Sequence, residues 1–317
     1  MTLNSVLRYE PSAEWGSVPA GVSFSGDANS VAVDSADRVY VFNRGPRPML
    51  VFRTDGTPLG GWGDGEFQNP HAITIDADDN VYLVDSRLGH VVQKRTKSGE
   101  LLMQIGTFGQ PAERHSGRYF NGPTDVAVHP VTRELFVTDG YGNARVHRFS
   151  PEGEHILSWG ESGGYPGQFS VPHGISFLDA DHVIVCDREN FRLQIFTLEG
   201  KFVEQWHAFR PLAITRSSQD GLFFVAELGP APSQHGLPNL GNRVVVVNDH
   251  GETVARIGST LPGDAPDQFL APHGLALDSK GDLYVAEARR TWSTGQLGFP
   301  VPASEEISLR KWRRVDA

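Results

Sequence analysis

The chain has 317 residues, 39% of them apolar and 21% charged, with a formal net charge of −10. That is an ordinary globular composition with the wrong sign for holding a phosphate backbone, so nucleic acid is not an expected partner. A single cysteine, Cys186, excludes an intrachain disulfide framework and a thiolate metal cage. No apolar run reaches membrane-spanning length and Met1 to Trp15 holds no apolar signal core, so the expected setting is the reducing cytoplasm, away from membranes.

Taken in chain order, a short segment, Ser12-Ala13-Glu14-Trp15-Gly16, precedes six related units. The first pairs Asn29-Ser30-Val31-Ala32-Val33-Asp34 with Val39-Tyr40-Val41-Phe42-Asn43. The second pairs Pro70-His71-Ala72-Ile73-Thr74-Ile75-Asp76 with Val81-Tyr82-Leu83-Val84-Asp85. In the third and fourth, Pro123-Thr124-Asp125-Val126-Ala127-Val128 precedes a run ending at Asp139, and Pro172-His173-Gly174-Ile175-Ser176-Phe177 precedes one ending at Asp187. The fifth and sixth begin at Pro211-Leu212 and Pro272-His273-Gly274, and their second runs end at Glu227 and Glu287. Corresponding positions are 39 to 61 residues apart. A third run follows, as in Arg145-Val146-His147-Arg148-Phe149, then a turn such as Pro151-Glu152-Gly153-Glu154, then a fourth, as in Ile156-Leu157-Ser158-Trp159-Gly160.

Short β-branched and aromatic runs bounded by Gly, Asp and Asn read as strands, and no sustained 3.6-residue period marks a helix. Four strands repeated six times predict an all-β fold, a six-bladed β-propeller forming a single domain over 1–317. The sixth unit has a third strand at Ser308–Arg313 and then the chain ends. The N-terminal segment Ser12–Gly16 is predicted to supply the missing outer strand and close the ring, which removes open sheet edges. The longer connections at 107–122, 228–242 and 289–306 are expected to be lids or rim loops.

In a propeller the first strand of each blade lines the central channel. The residue after the repeat's proline is therefore a channel-mouth position, held in turn by Asn29, His71, Thr124, His173, Leu212 and His273. Histidine falls in every second blade, so three imidazoles point at one axis about 120° apart. Three histidines and an open fourth position are the donor set of a catalytic zinc, where a bound oxygen is polarised; another divalent metal is the alternative. The bland reading of each is an imidazole bonded to loop backbone. Asp85, Asp139, Asp187, Glu227 and Glu287 share one repeat position and are expected to bind turn amides. Arg44, Arg188 and Tyr141 interrupt the repeat just past the second strand. An arginine there presents a planar fork to a carboxylate, and a tyrosine beside a metal and a cation is a candidate base; otherwise they are surface turn residues.

The repeat resembles the NHL repeat. Further stretches resemble the peptidylglycine α-hydroxyglycine α-amidating lyases: Asn43-Arg44-Gly45, Pro70-His71-Ala72-Ile73, Thr138-Asp139-Gly140-Tyr141-Gly142-Asn143-Ala144-Arg145, Gly167-Gln168-Phe169-Ser170-Val171-Pro172-His173, Asp187-Arg188-Glu189-Asn190 and Pro272-His273. The resemblance implies zinc on His71, His173 and His273, Tyr141 as the base that deprotonates the substrate hydroxyl, and Arg44 near that tyrosine and the substrate. Arg188 would hold a substrate oxyanion. The reaction implied is cleavage of a carbinolamide to an amide and glyoxylate. Where the family has an aspartate that helps hold a structural calcium, this chain has Gly274, which argues against calcium. Gly142 replaces a family cysteine, as suits a reducing compartment. Three functions follow: a zinc lyase acting on a small α-hydroxy-amide, a zinc hydrolase or hydratase on the same scaffold, and a non-catalytic NHL interaction platform. A small-molecule substrate and no obligate protein partner are expected.

Overall fold

The computed structural model describes residues 7–12, 15, 23–25, 27–230, 234, 237–293 and 308–315. Its strands form six four-stranded antiparallel sheets. The innermost strands are Ala28–Val33, Pro70–Ile75, Asp125–Val128, Pro172–Phe177, Pro211–Arg216 and Pro272–Leu277. Each packs beside the next, and the last packs against the first, so the ring is closed. The fold is the expected six-bladed β-propeller. Among the described residues the only α-helix is one turn, Arg289–Trp292, and no helix is long and apolar enough to cross a membrane.

The second strands are continuously apolar because both of their faces are buried. In Val81–Asp85, Val81 and Leu83 face the first blade, beside Tyr40 and Phe42. Tyr82 and Val84 face the third, beside Val126, Leu135 and Val137. Six such apolar clusters, one at each junction between blades, hold the ring together. Burying one of these aromatic side chains contributes about 1.5–3 kcal/mol.

In blades two to six the repeated acids bind the amides of the turn that leads into the innermost strand, as expected. Asp85 accepts the Gln68 and Asn69 amides, Asp139 that of Asn121 and Asp187 that of Ser170. Glu227 accepts the Phe209 amide and Glu287 those of Leu270 and Ala271. In blades four to six the same carboxylate also receives an arginine from the third strand: Arg192, Arg243 or Arg310. In blades two to six the acid therefore fixes the segment that delivers the channel-mouth residue.

The N-terminal strand does close the last blade, but it is Tyr9–Pro11 rather than Ser12–Gly16. Tyr9 pairs with Arg314, Glu10 with Arg313 and Pro11 with Trp312; the third strand of that blade is Leu309–Arg314. The Ser12 amide adds one bond to the Lys311 carbonyl, while Ala13, Glu14 and Gly16 lie outside the described residues. Along the sequence Trp15 matches the tryptophan at or next to the end of three outer strands, Trp62, Trp159 and Trp206. Instead it is core. Its ring is buried between Phe52 and Tyr284 and its Nε1–H donates to the Thr54 carbonyl, filling the junction of first and last blades.

Deleting residues 1–11 is expected to lower the melting temperature by about 5–10 °C. The loss combines ladder bonds at about 1 kcal/mol each with the edge-on contact of Tyr9 and Phe224. A thermal scan showing no change would place the closure elsewhere.

Candidate metal centre

His71, His173 and His273 meet at the channel axis, with ligand nitrogens all within 4.8 Å of one another and ring centroids 4.9–5.0 Å apart. A β-bulge puts them there. In blades two, four and six the pairing of first and second strands skips a residue at the histidine, and a bulge re-aims the side chain it carries.

The odd blades have a role too. His71 Nδ1 bonds the Thr124 carbonyl at 2.7 Å, His173 Nδ1 that of Leu212 at 2.8 Å and His273 Nδ1 that of Asn29 at 2.8 Å. These are the channel-mouth residues of blades three, five and one. Each bond requires Nδ1–H, because a carbonyl only accepts. That fixes the tautomer and leaves the Nε2 lone pair for the axis, the outer-shell arrangement typical of metal-bound histidine. Burial pushes all three imidazoles towards the neutral form. His71 and His173 lie well below the ordinary histidine range through burial, with neighbouring histidines and then Arg44 or Arg188 adding to the effect. His273 is lowered to about 3 by burial and then by Arg44. Neutral, oriented donors on three sides fit a divalent metal.

Calcium held by a side chain at position 274 does not fit. A Cβ on Gly274 would lie 2.6 Å from Ser30 Cα and 2.9 Å from the Asn29 carbonyl oxygen. The first and last blades approach too closely there for any side chain.

Tyr141 reaches the same point. Its hydroxyl lies 2.9 Å from His71 Nε2 and 3.1 Å from His173 Nε2. The turn that carries it needs glycine on both sides: a Cβ on Gly140 would strike the Pro172 carbonyl, and one on Gly142 would strike Asn121. The connection at 107–122 braces this turn rather than standing free as a lid. The His115 amide donates to the Gly142 carbonyl and Arg114 to that of Tyr141. Of the other two connections, Thr291 and Trp292 reach the site, while 231–233, 235–236 and 294–307 lie outside the described residues.

Above the histidines a cavity of about 360 Å³ is lined by Tyr141, His273, Arg44 and Arg188. Arg44 is held by Thr291 Oγ1 at 2.7 Å and by Asp27 at 3.6 Å. Arg188 donates through Nε to Glu189. The structure thus brings together every site residue expected from the sequence. It adds three that sequence reasoning missed: Arg87, Arg210 and Trp292. Arg87 follows Asp85 by two residues, as Tyr141 follows Asp139, so aligning the repeats by their acids would have found it. Arg210 immediately precedes the fifth repeat's proline. Trp292, in the irregular 289–306 connection, carries no such mark.

Residues 169–196 match the NHL repeat family. Peptidyl-alpha-hydroxyglycine alpha-amidating lyase 1 of Drosophila melanogaster is 33% identical over 71% of this chain and 44% of its own length. NHL repeat-containing protein 3 of Mus musculus is 30% identical over 83% of this chain and 77% of its own length. The chain spans about a third of the length of the curated peptidyl-glycine alpha-amidating monooxygenases it also matches. Among solved structures, virginiamycin B lyase from Staphylococcus aureus has the same fold, with a TM-score of 0.62 at 12% identity, covering 98% of this chain and 99% of that one. The chain belongs to the NHL-repeat family of six-bladed propellers and is homologous to the peptidyl-alpha-hydroxyglycine alpha-amidating lyases.

Proposed function

We propose that the chain is a zinc-dependent lyase that splits a small α-hydroxy-amide into an amide and an α-oxo acid such as glyoxylate. One observation carries this reading: three oriented Nε2 atoms and one phenol oxygen converge beside an arginine-lined cavity whose wall includes Tyr141 and His273. The reading is consistent with the homology to lyases. His71, His173 and His273 would hold the metal, which when bound polarises a neighbouring oxygen and acidifies its proton.

The remaining chemistry belongs to the chain. Tyr141, as phenolate, takes the proton of the substrate's hydroxyl. The O–H electron pair becomes the new C=O bond, and the C–N bond breaks with its pair going to nitrogen. Tyr141 then returns the proton to that nitrogen, completing the amide. Arg188 holds the substrate carboxylate through the face of its guanidinium fork not used by Glu189. Arg44, braced by Asp27 and Thr291, places positive charge beside the developing oxyanion.

The test is release of glyoxylate and benzamide in equal amounts from α-hydroxyhippurate by the zinc-loaded protein. Failure of metal-replete protein to cleave either this substrate or N-succinyl-α-hydroxyglycine, which carries a second carboxylate, would reject the reaction. Given turnover, Arg188→Ala is expected to raise KM about 10-fold or more with a smaller change in kcat, the pattern of lost uniform binding. An unchanged KM would remove Arg188 from substrate binding.

A further inference from the structure

The cavity above the histidines is more positive than one carboxylate requires. Four guanidiniums, those of Arg44, Arg87, Arg188 and Arg210, line it. Two carboxylates answer them. Asp27 faces Arg44, and Glu189 is shared by Arg188 and Arg210. A surplus of two positive charges remains, in a chain whose net charge is −10. Arg87 stands apart from the other three. Among the described residues no carboxylate lies within ion-pairing distance of its guanidinium, and the Arg87 hydrogen bond to Asn69 uses only the backbone amide. Yet its place is defined: its Cζ sits 3.9 Å from the centroid of the Tyr141 ring. Arg188 Cζ lies 5.8 Å from the same centroid.

A guanidinium over an aromatic face keeps its N–H groups free at its edge, shaped for a planar bidentate acceptor. Arg87 therefore has a fixed position, an unused fork and no counter-charge. We infer that Arg87 is a specificity residue for a second carboxylate: the substrate is a dianion, with one carboxylate at Arg188 and another at Arg87, the two guanidiniums that lie against the Tyr141 ring. This rests on the proposed reading of the same site and narrows it, from α-hydroxy-amides in general to those bearing a distal acid. An uncharged tail would leave Arg87 unanswered.

The test is calorimetric binding to the metal-loaded protein at low ionic strength, with succinate and glutarate as dicarboxylate probes and butyrate and valerate as the monocarboxylates of matching length. The wild-type protein is expected to prefer the dicarboxylates by about 10- to 100-fold, the effect of one added charge-assisted bidentate contact. The preference should shrink as salt is raised. Arg87→Gln is expected to bring the ratio close to one, and Arg87→Lys to retain part of it. Arg87 is exposed, and an unchanged melting curve is the control for folding. Equal wild-type affinities, or a preference that survives in Arg87→Gln, would overturn the inference. Binding is read without turnover, so the two readings fail separately: a dicarboxylate preference with no cleavage of either α-hydroxyhippurate or its distal-acid counterpart N-succinyl-α-hydroxyglycine rejects the lyase and leaves the second subsite standing, and cleavage without the preference does the reverse.

Discussion

Replacing Tyr141 with phenylalanine is expected to lower turnover of α-hydroxyhippurate by about 10²–10⁴-fold, the usual contribution of a positioned base. The substitution removes one oxygen, the atom 2.9 Å from His71 Nε2 and 3.1 Å from His173 Nε2. The ring remains. Its edge-on contacts with the two imidazoles and the Arg87 guanidinium over it survive, so neither fold nor metal content should change. Metal stoichiometry and the melting curve, measured beside the rate, separate loss of a base from loss of a site. Full activity in Tyr141→Phe would sink the lyase mechanism and favour a hydrolase or hydratase in which water is the attacking group.

His173→Ala carries the second large effect. It removes one of three donors and leaves two, so the metal content after dialysis should collapse and activity with it. The drop in metal affinity should exceed the 10–100-fold typical of losing an outer-shell partner. The structure supplies a matched control. His173 is oriented by the backbone carbonyl of Leu212, not by its side chain, so Leu212→Ala should hold metal like the wild type. Elemental analysis of the three proteins checks both statements. Equal, substoichiometric metal in wild type and His173→Ala would end the metal reading. Metal lost on Leu212→Ala would show that the side chain, which packs with Leu228, Ala271 and Trp292, supports the site by its bulk.

The repeat period by itself determined the fold and the position of the three histidines. Strands whose two faces are both buried must be apolar throughout, and that run, ended by an acid, is visible six times along the chain. Once the blades are counted, histidine in every second blade has one geometric meaning. Tyr141, Arg44 and Arg188 were legible through the turns that hold them, where glycine or a capping acid leaves a recognisable neighbour.

Other features were decided only by the folded ring. The carbonyls of Asn29, Thr124 and Leu212 orient the imidazoles, and a backbone carbonyl leaves no trace in residue identity. The choice of Tyr9–Pro11 over Ser12–Gly16 as the closing strand turned on Trp15, whose indole is needed in the junction of first and last blades. Arg87 shares with Tyr141 a place two residues past the repeated acid, but Arg210 and Trp292 come from other blades and connections, and each looks like an ordinary turn or loop residue along the chain. What makes them one cavity wall is convergence. A propeller brings the ends of its blades to a common axis, so residues distant in sequence share a charge environment that local patterns do not encode.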